Sequence, residues 1–216
     1  MRLLHRALAL AFALTCAAAA PIRAQPAGLA GTYDGRQMEM ATGLELKPDG
    51  RFRYALSYGA LDEEAAGRWT ASGDRVILTS DPVRAPRFVL VSHGKGQDGM
   101  LRLDLDVPKG VSRQYFDAEI AGANGAVQRR QLSEEGLAYP FASNDRPTGV
   151  RLVLQMYHIG SEAVRLDPGS GSAVRFRLEP NDIGKADFRG TALRIVGTDL
   201  VLDRHGRTIR FKRTTP

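Results

Sequence analysis

Met100-Leu101-Arg102-Leu103-Asp104-Leu105-Asp106-Val107 decides the fold class. Leu101, Leu103, Leu105 and Val107 recur at every second position, with Arg102, Asp104 and Asp106 between them. Successive side chains of a strand point to opposite faces, so this stretch has one apolar and one charged face. That is the signature of a half-buried antiparallel strand. The same alternation runs through Arg51-Phe52-Arg53-Tyr54-Ala55-Leu56, Val174-Arg175-Phe176-Arg177-Leu178 and Thr208-Ile209-Arg210-Phe211-Lys212. No long segment carries the 3.6-residue stripe of an amphipathic helix. The best short-helix candidate is 181–188, with Asn181 or Asp182 as its cap.

Outward from these strands, turn signals fall at short intervals. Pro48-Asp49-Gly50, Ser72-Gly73-Asp74, Asn124-Gly125 and His205-Gly206 each separate two alternating runs, and Gly and Asn tolerate the positive φ that tight hairpins need. Many short strands joined this way give an all-β sandwich or barrel. Two modules are expected. Residues 28–112 read as a continuous antiparallel meander, with strands near 29–33, 37–46, 51–58, 64–70, 75–80, 87–93 and 100–107. Residues 113–188 have a different rhythm, with strands near 115–121, 127–132, 136–141, 150–157, 163–166 and 173–178. The end of the chain, 189–213, returns to the first rhythm. It carries apolar pairs at Leu193 and Ile195, Leu200 and Leu202, and Ile209 and Phe211. An open meander leaves two edges, which proteins usually close or cover. The final segment is therefore expected to complete the meander, with 113–188 inserted between its parts.

The start of the chain is read separately. Arg2, His5 and Arg6 precede an apolar run from Leu8 to Ala20, and Ile22-Arg23-Ala24 places a small residue before Gln25. This is the order of a secretory signal peptide over 1–24, cleaved after Ala24. The run is too short for a membrane span. Cys16 lacks the residues that usually precede a lipid-attachment cysteine, since Ala13 and Thr15 stand there. The 216-residue chain has a formal charge of +6, and losing Arg2, Arg6 and Arg23 leaves +3. That is far from the footprint of a nucleic-acid binder. The mature chain would hold no cysteine, hence neither a disulfide nor a thiolate metal site. These features indicate a periplasmic or secreted protein with no transmembrane span in its mature form.

The Gly31-Thr32-Tyr33 start, the Leu44-x-Leu46-x-Pro48-Asp49-Gly50-x-Phe52 hairpin and Gly67-x-Trp69 resemble the lipocalin-like meanders of bacterial exported proteins. The ending matches too, through Leu193-x-Ile195, Leu200-Val201-Leu202 and Gly206-x-x-Ile209-x-Phe211. The middle block, with Asn124-Gly125, Gly136-Leu137-Ala138-Tyr139 and the strand 150–154, resembles transthyretin-like or carboxypeptidase-regulatory-like sandwiches. The first resemblance implies a barrel that binds a small apolar ligand. The second implies a non-catalytic spacer or partner-binding unit.

Residues able to do chemistry are scattered. His93 and His205 stand beside glycines and are expected as solvated turn residues; His158 ends an apolar strand. None has a second His or Cys at ligand spacing. Ser170 and Ser172 lie in a Gly-rich hairpin loop with no nucleophile elbow and no phosphate-loop lysine. Asp104 and Asp106 would stand about 7 Å apart on one strand face, a glycosidase-like spacing, yet Arg102 shares that face. Asp62-Glu63-Glu64 sits in an expected hairpin loop and lacks a calcium-loop pattern. Arginine stripes at Arg51/Arg53, Arg129/Arg130, Arg175/Arg177 and Arg207/Arg210/Lys212/Arg213 read as exposed or edge faces guarded by charge, or as contacts to anionic envelope polymers. Only five of the 30 basic residues are lysine, so one arginine says little. No residue is therefore assigned a catalytic, cofactor-binding or metal role, and no cofactor is expected. The expected function is a non-catalytic envelope binding module for a small apolar ligand or a partner protein. The alternatives are an enzyme acting on envelope glycan or lipid, and a structural spacer in an envelope complex.

Overall fold

The computed structural model describes residues 28–167 and 171–214. The expected signal peptide and Pro168, Gly169 and Ser170 lie outside them. In chain order the strands begin with β1 (Gly31–Asp34), β2 (Met40–Leu46), β3 (Arg51–Tyr58), β4 (Leu61–Ser72) and β5 (Arg75–Ser80). The middle of the chain supplies β6 (Arg87–Lys95), β7 (Met100–Asp106), β8 (Asp117–Gly122), β9 (Val127–Gln131), β10 (Leu137–Pro140) and β11 (Pro147–Leu154). It continues with β12 (Ile159–Gly160), β13 (Val164–Arg165) and β14 (Ser172–Glu179). The last three are β15 (Arg189–Val196), β16 (Asp199–Arg204) and β17 (Arg207–Arg213).

Eight of them close an antiparallel barrel in the order β1-β17-β16-β15-β5-β4-β3-β2. Strand β5 pairs with β15 across more than a hundred intervening residues, as in Val76↔Leu193, and β17 seals the barrel on β1 through Tyr33↔Arg213. Alternation aims every second side chain inward, and the lumen is filled. Leu44, Phe52, Tyr54, Trp69, Leu78 and Phe211 are all buried there. Phe188, which leads into β15, plugs the centre edge-on to Phe52 and Tyr54 at ring separations of 5.9 and 5.1 Å. Eight strands enclose little more than their own side chains. Here these aromatics occupy the space that the strands enclose.

Strands β6 and β7 leave the expected meander. They join β14 and β10 in a four-stranded sheet ordered β10-β7-β14-β6, in which β14 and β7 run parallel. The cause lies in Ser80-Asp81-Pro82-Val83-Arg84-Ala85-Pro86. Two prolines lack the N–H groups of a further barrel strand. Ser80 turns instead to the returning chain: its N–H donates to the Phe188 carbonyl at 2.8 Å, and its Oγ donates to the Ala186 carbonyl at 2.9 Å. A second sheet, β12-β11-β8-β9 with β13 on β11, faces the first. Leu101, Leu103, Leu105 and Phe176 meet Ile120 and Leu152 in the core between them.

Three local expectations also change. Residues 181–188 are a turn and not a helix: Asn181 and Gly184 take positive φ of 44° and 83°, and Asn181 Nδ2 donates to the Ala85 carbonyl. Asp62-Glu63-Glu64 lies inside β4, since the hairpin bends at Gly59-Ala60. His93 stands within β6 and not at a turn.

Candidate binding groove

The barrel's outer wall is built from small side chains. Where Leu44, Tyr54 and Leu56 point in, their neighbours Gly43, Ala55 and Ser57 point out. Ala41 and Thr32 extend this low floor. Above it the chain returns from the sandwich. Tyr157 donates its hydroxyl to the Asp62 carbonyl at 3.3 Å, the Glu64 N–H donates to the Gly184 carbonyl at 2.8 Å, and Lys185 pairs with the Glu64 carboxylate. Floor and overhang bound an open groove of about 850 Å³, mainly apolar, whose lining includes Thr32, Gly43, Ala55, Ser57, Tyr157 and Ile183. A smaller extension of about 390 Å³ runs on past Glu45, Arg53 and Lys185. Burial pushes the Tyr157 phenol above its ordinary pKa, so at neutral pH it stays an uncharged donor.

A polar cluster closes the neighbouring mouth of the barrel. Glu63 is on the inner side of β4 with its side chain 10% exposed. Arg204, at the end of β16, grips its carboxylate with two hydrogen bonds of 2.9 Å. The same guanidinium lies 5.0 Å from the centre of the Phe188 ring, capping the aromatic plug. His205 Nε2 is 3.0 Å from Glu63 Oε2. The His205 ring stacks on His158 of the sandwich at 6.3 Å between centroids and 13° between planes. Both histidines hold left-handed backbone, with φ of 51° and 54°. Next to Gly206 that conformation suits a tight hairpin. Beneath the cluster the Tyr54 hydroxyl is buried with no hydrogen-bond partner among the described residues, and burial pushes its pKa up to about 12.

The expectation for the histidines thus changes for His205, which is tied to a carboxylate and to a second imidazole. Each single signal in the sequence was weak, because Glu63, His158 and His205 are far apart in the chain. The other candidates stay apart. Asp106 is paired with Arg175 at 2.7 Å on the sandwich's outer face, and Ser172 is buried at the start of β14. The C-terminal arginines are engaged: Arg207 donates to the Tyr58 hydroxyl at 2.7 Å, Arg210 pairs with Asp199 at 2.8 Å, and Arg213 donates to the Ala30 carbonyl at 2.6 Å. Strand β17 is no edge, because β16 and β1 flank it. Among the described residues, no three His, Cys, Asp or Glu side chains group as metal ligands would. The chain matches no family model, no curated protein and no solved structure.

Proposed function

We propose that this is an exported, non-catalytic binding module of the bacterial periplasm or envelope, and that it holds a small, largely apolar ligand on the outside of its barrel. One observation carries the reading: a groove of about 850 Å³ is walled by barrel, sandwich and connector together, whereas the lumen is occupied by the barrel's own aromatics. Clefts between packed units are favoured places for ligands. In this reading the barrel is a lipocalin-like meander that has given up its inner cavity, and the inserted transthyretin-like block supplies the missing wall. The Glu63–His205 pair gives the enzyme reading its one specific support, since a carboxylate can orient an imidazole for proton transfer. No serine or threonine hydroxyl is hydrogen-bonded to either His158 or His205 among the described residues, which favours binding over nucleophilic catalysis.

The groove is tested by titrating isotope-labelled protein with a set of small amphipathic compounds and following amide resonances. Shifts should cluster at Ala41, Gly43, Ala55 and Ser57 and vanish in Ala55→Trp, whose indole fills the floor. Shifts confined to residues facing the lumen, such as Leu44 and Phe211, would overturn the reading. Export is tested by mass spectrometry of protein from its native host. Gln25 should be the first residue, and an intact Met1 or a lipidated Cys16 would refute it.

A further inference from the structure

Closure leaves the barrel without an edge; the four-stranded sheet has two. One edge is β10, short and ending at Pro140. The other is β6, nine residues long, or about 30 Å. Only the β14 side of β6 is paired. Strand β12 comes near it from the other sheet but bonds to β11. Half of the backbone donors and acceptors of β6 therefore face outward with no strand among the described residues to receive them.

Proteins usually blunt such an edge with short strands, proline, inward charge or a bulge. Strand β6 has no proline and no acid. Its one irregularity falls at Val91, which the register skips between Leu90↔Phe176 and Ser92↔Arg175. Two large aliphatics, Leu90 and Val91, are thereby left adjacent and 46% and 45% exposed at mid-strand. Along the strand itself the charge has one sign, although Arg87 is paired with Glu179 of β14 at 2.7 Å, which leaves His93 and Lys95 as the cations beside the aliphatic pair. Residues 82–97 hold Arg84, Arg87, His93 and Lys95 and no aspartate or glutamate.

We propose that β6 is a docking edge that adds an extended, acidic segment with an aliphatic centre, from a partner protein, as a fifth strand of this sheet. Backbone hydrogen bonds would supply the affinity, and Leu90, Val91 and the flanking cations the selection. The charge pattern argues against a second copy as occupant. Antiparallel self-pairing about Val91 sets Arg87 opposite Lys95 at both ends, and like charges opposite one another destabilise a sheet even where Glu179 of β14 offsets part of the Arg87 charge.

The test uses the full protein and two synthetic peptides as long as β6, one alternating valine with glutamate and one alternating valine with lysine. Amide exchange should slow along 87–95 with the glutamate peptide and not with the lysine peptide. Lys95→Glu, an exposed change that leaves packing intact, should weaken the glutamate peptide about tenfold or more and improve the lysine one. Leu90→Glu should abolish protection of β6 by the peptide while the exchange protection of β7 and β14 shows its sheet retained. Equal binding of both peptides, protection away from β6, or indifference to Lys95→Glu would overturn the proposal. Protection of β6 that grows with protein concentration and without peptide would also overturn it, in favour of a second copy.

Discussion

Barrel and sandwich are both built from alternating strands, yet they bury different things. The barrel fills its lumen with aromatics, Phe52, Tyr54, Trp69, Phe188 and Phe211 among them, while the sandwich core is mostly aliphatic. Converging strands leave a rounded space that a few large rings fill, whereas two facing sheets leave a slab that branched side chains fill in layers. Closure also settles where each unit can meet other molecules. The barrel has no free edge and its lumen is occupied by its own side chains, so it meets other molecules through its outer wall and mouth. The sandwich keeps open edges and offers backbone as well as side chains.

The comparison breaks most severely if the barrel can stand without its C-terminal strands. A chain ending after Phe188 loses Leu193, Leu200, Leu202, Ile209 and Phe211, each at most 2% exposed. Burying one such side chain contributes roughly 1.5–3 kcal/mol, so the loss rivals the whole stability of an ordinary domain. The truncated protein should lose the near-ultraviolet signal of Trp69 and the exchange protection of β2–β5. Retention of both would show that the first five strands fold alone. A smaller effect comes from the plug. Phe188→Ala should cost about 3–5 kcal/mol in urea unfolding, because the closed barrel cannot collapse onto the hole. The equivalent cut in the sandwich, Phe176→Ala, should cost less, since facing sheets can close up. Equal losses would mean that the barrel relaxes as freely as the slab.

This division was partly legible in the sequence. Period-two alternation at 51–56 and 100–107 showed strands and their inner faces, because burial on one side leaves that trace directly. Pairing partners left none. Strands 87–93 and 100–107 alternate much as barrel strands do, and nothing within them says that 172–179 is their neighbour. The clue was the pair Pro82 and Pro86, which marks the exit from the barrel. The groove was invisible for another reason. Gly43, Ala55 and Ser57 look like ordinary exposed positions until Tyr157 and Ile183 are folded over them. Glu63 was misplaced because three consecutive acids resemble a loop, whereas the barrel admits the middle one by pairing it with Arg204.

That pair gives the next prediction. Glu63 and Arg204 have side chains only 10% and 21% exposed, and Arg204 covers the aromatic plug. Arg204→Leu leaves a mostly desolvated carboxylate with His205 in place of its guanidinium partner and should cost about 2–4 kcal/mol. Adding Glu63→Leu should restore most of that loss, because an apolar pair suits the site about as well as a charged one. On the sandwich, Arg175→Leu breaks a pair with Asp106 in which both side chains are a third or more exposed. Water solvates the remaining carboxylate there, and the urea midpoint should hardly move. If the two single variants fall together, burial does not distinguish the charges of the two units.

The smallest effect is a pH dependence confined to the sandwich. Glu119, with its side chain 12% exposed, lies between Arg129 and Arg151 at 2.7 and 2.6 Å. Their hydrogen bonds, Arg129's first, hold its carboxyl below the ordinary glutamate pKa against the upward push of burial. A carboxyl that is more acidic folded than unfolded takes up its proton more readily in the unfolded chain. Its contribution is therefore complete above the unfolded value, near 4.5, and fades as pH falls through the lower folded value. Both arginines are about half exposed, so solvent screening should keep that contribution under about 1 kcal/mol. Glu119→Gln should thus lower the sandwich's unfolding midpoint slightly at neutral pH. As acid protonates Glu119 in the original protein, the two midpoint curves should converge as the pH falls below the unfolded value near 4.5. The exchange protection of β8 and β11 reports this unit apart from the barrel. Curves that stay parallel to the acid end would place the source of acid sensitivity elsewhere, with the barrel's Asp199, whose carboxyl Arg210 likewise holds low, as the next carboxylate to test.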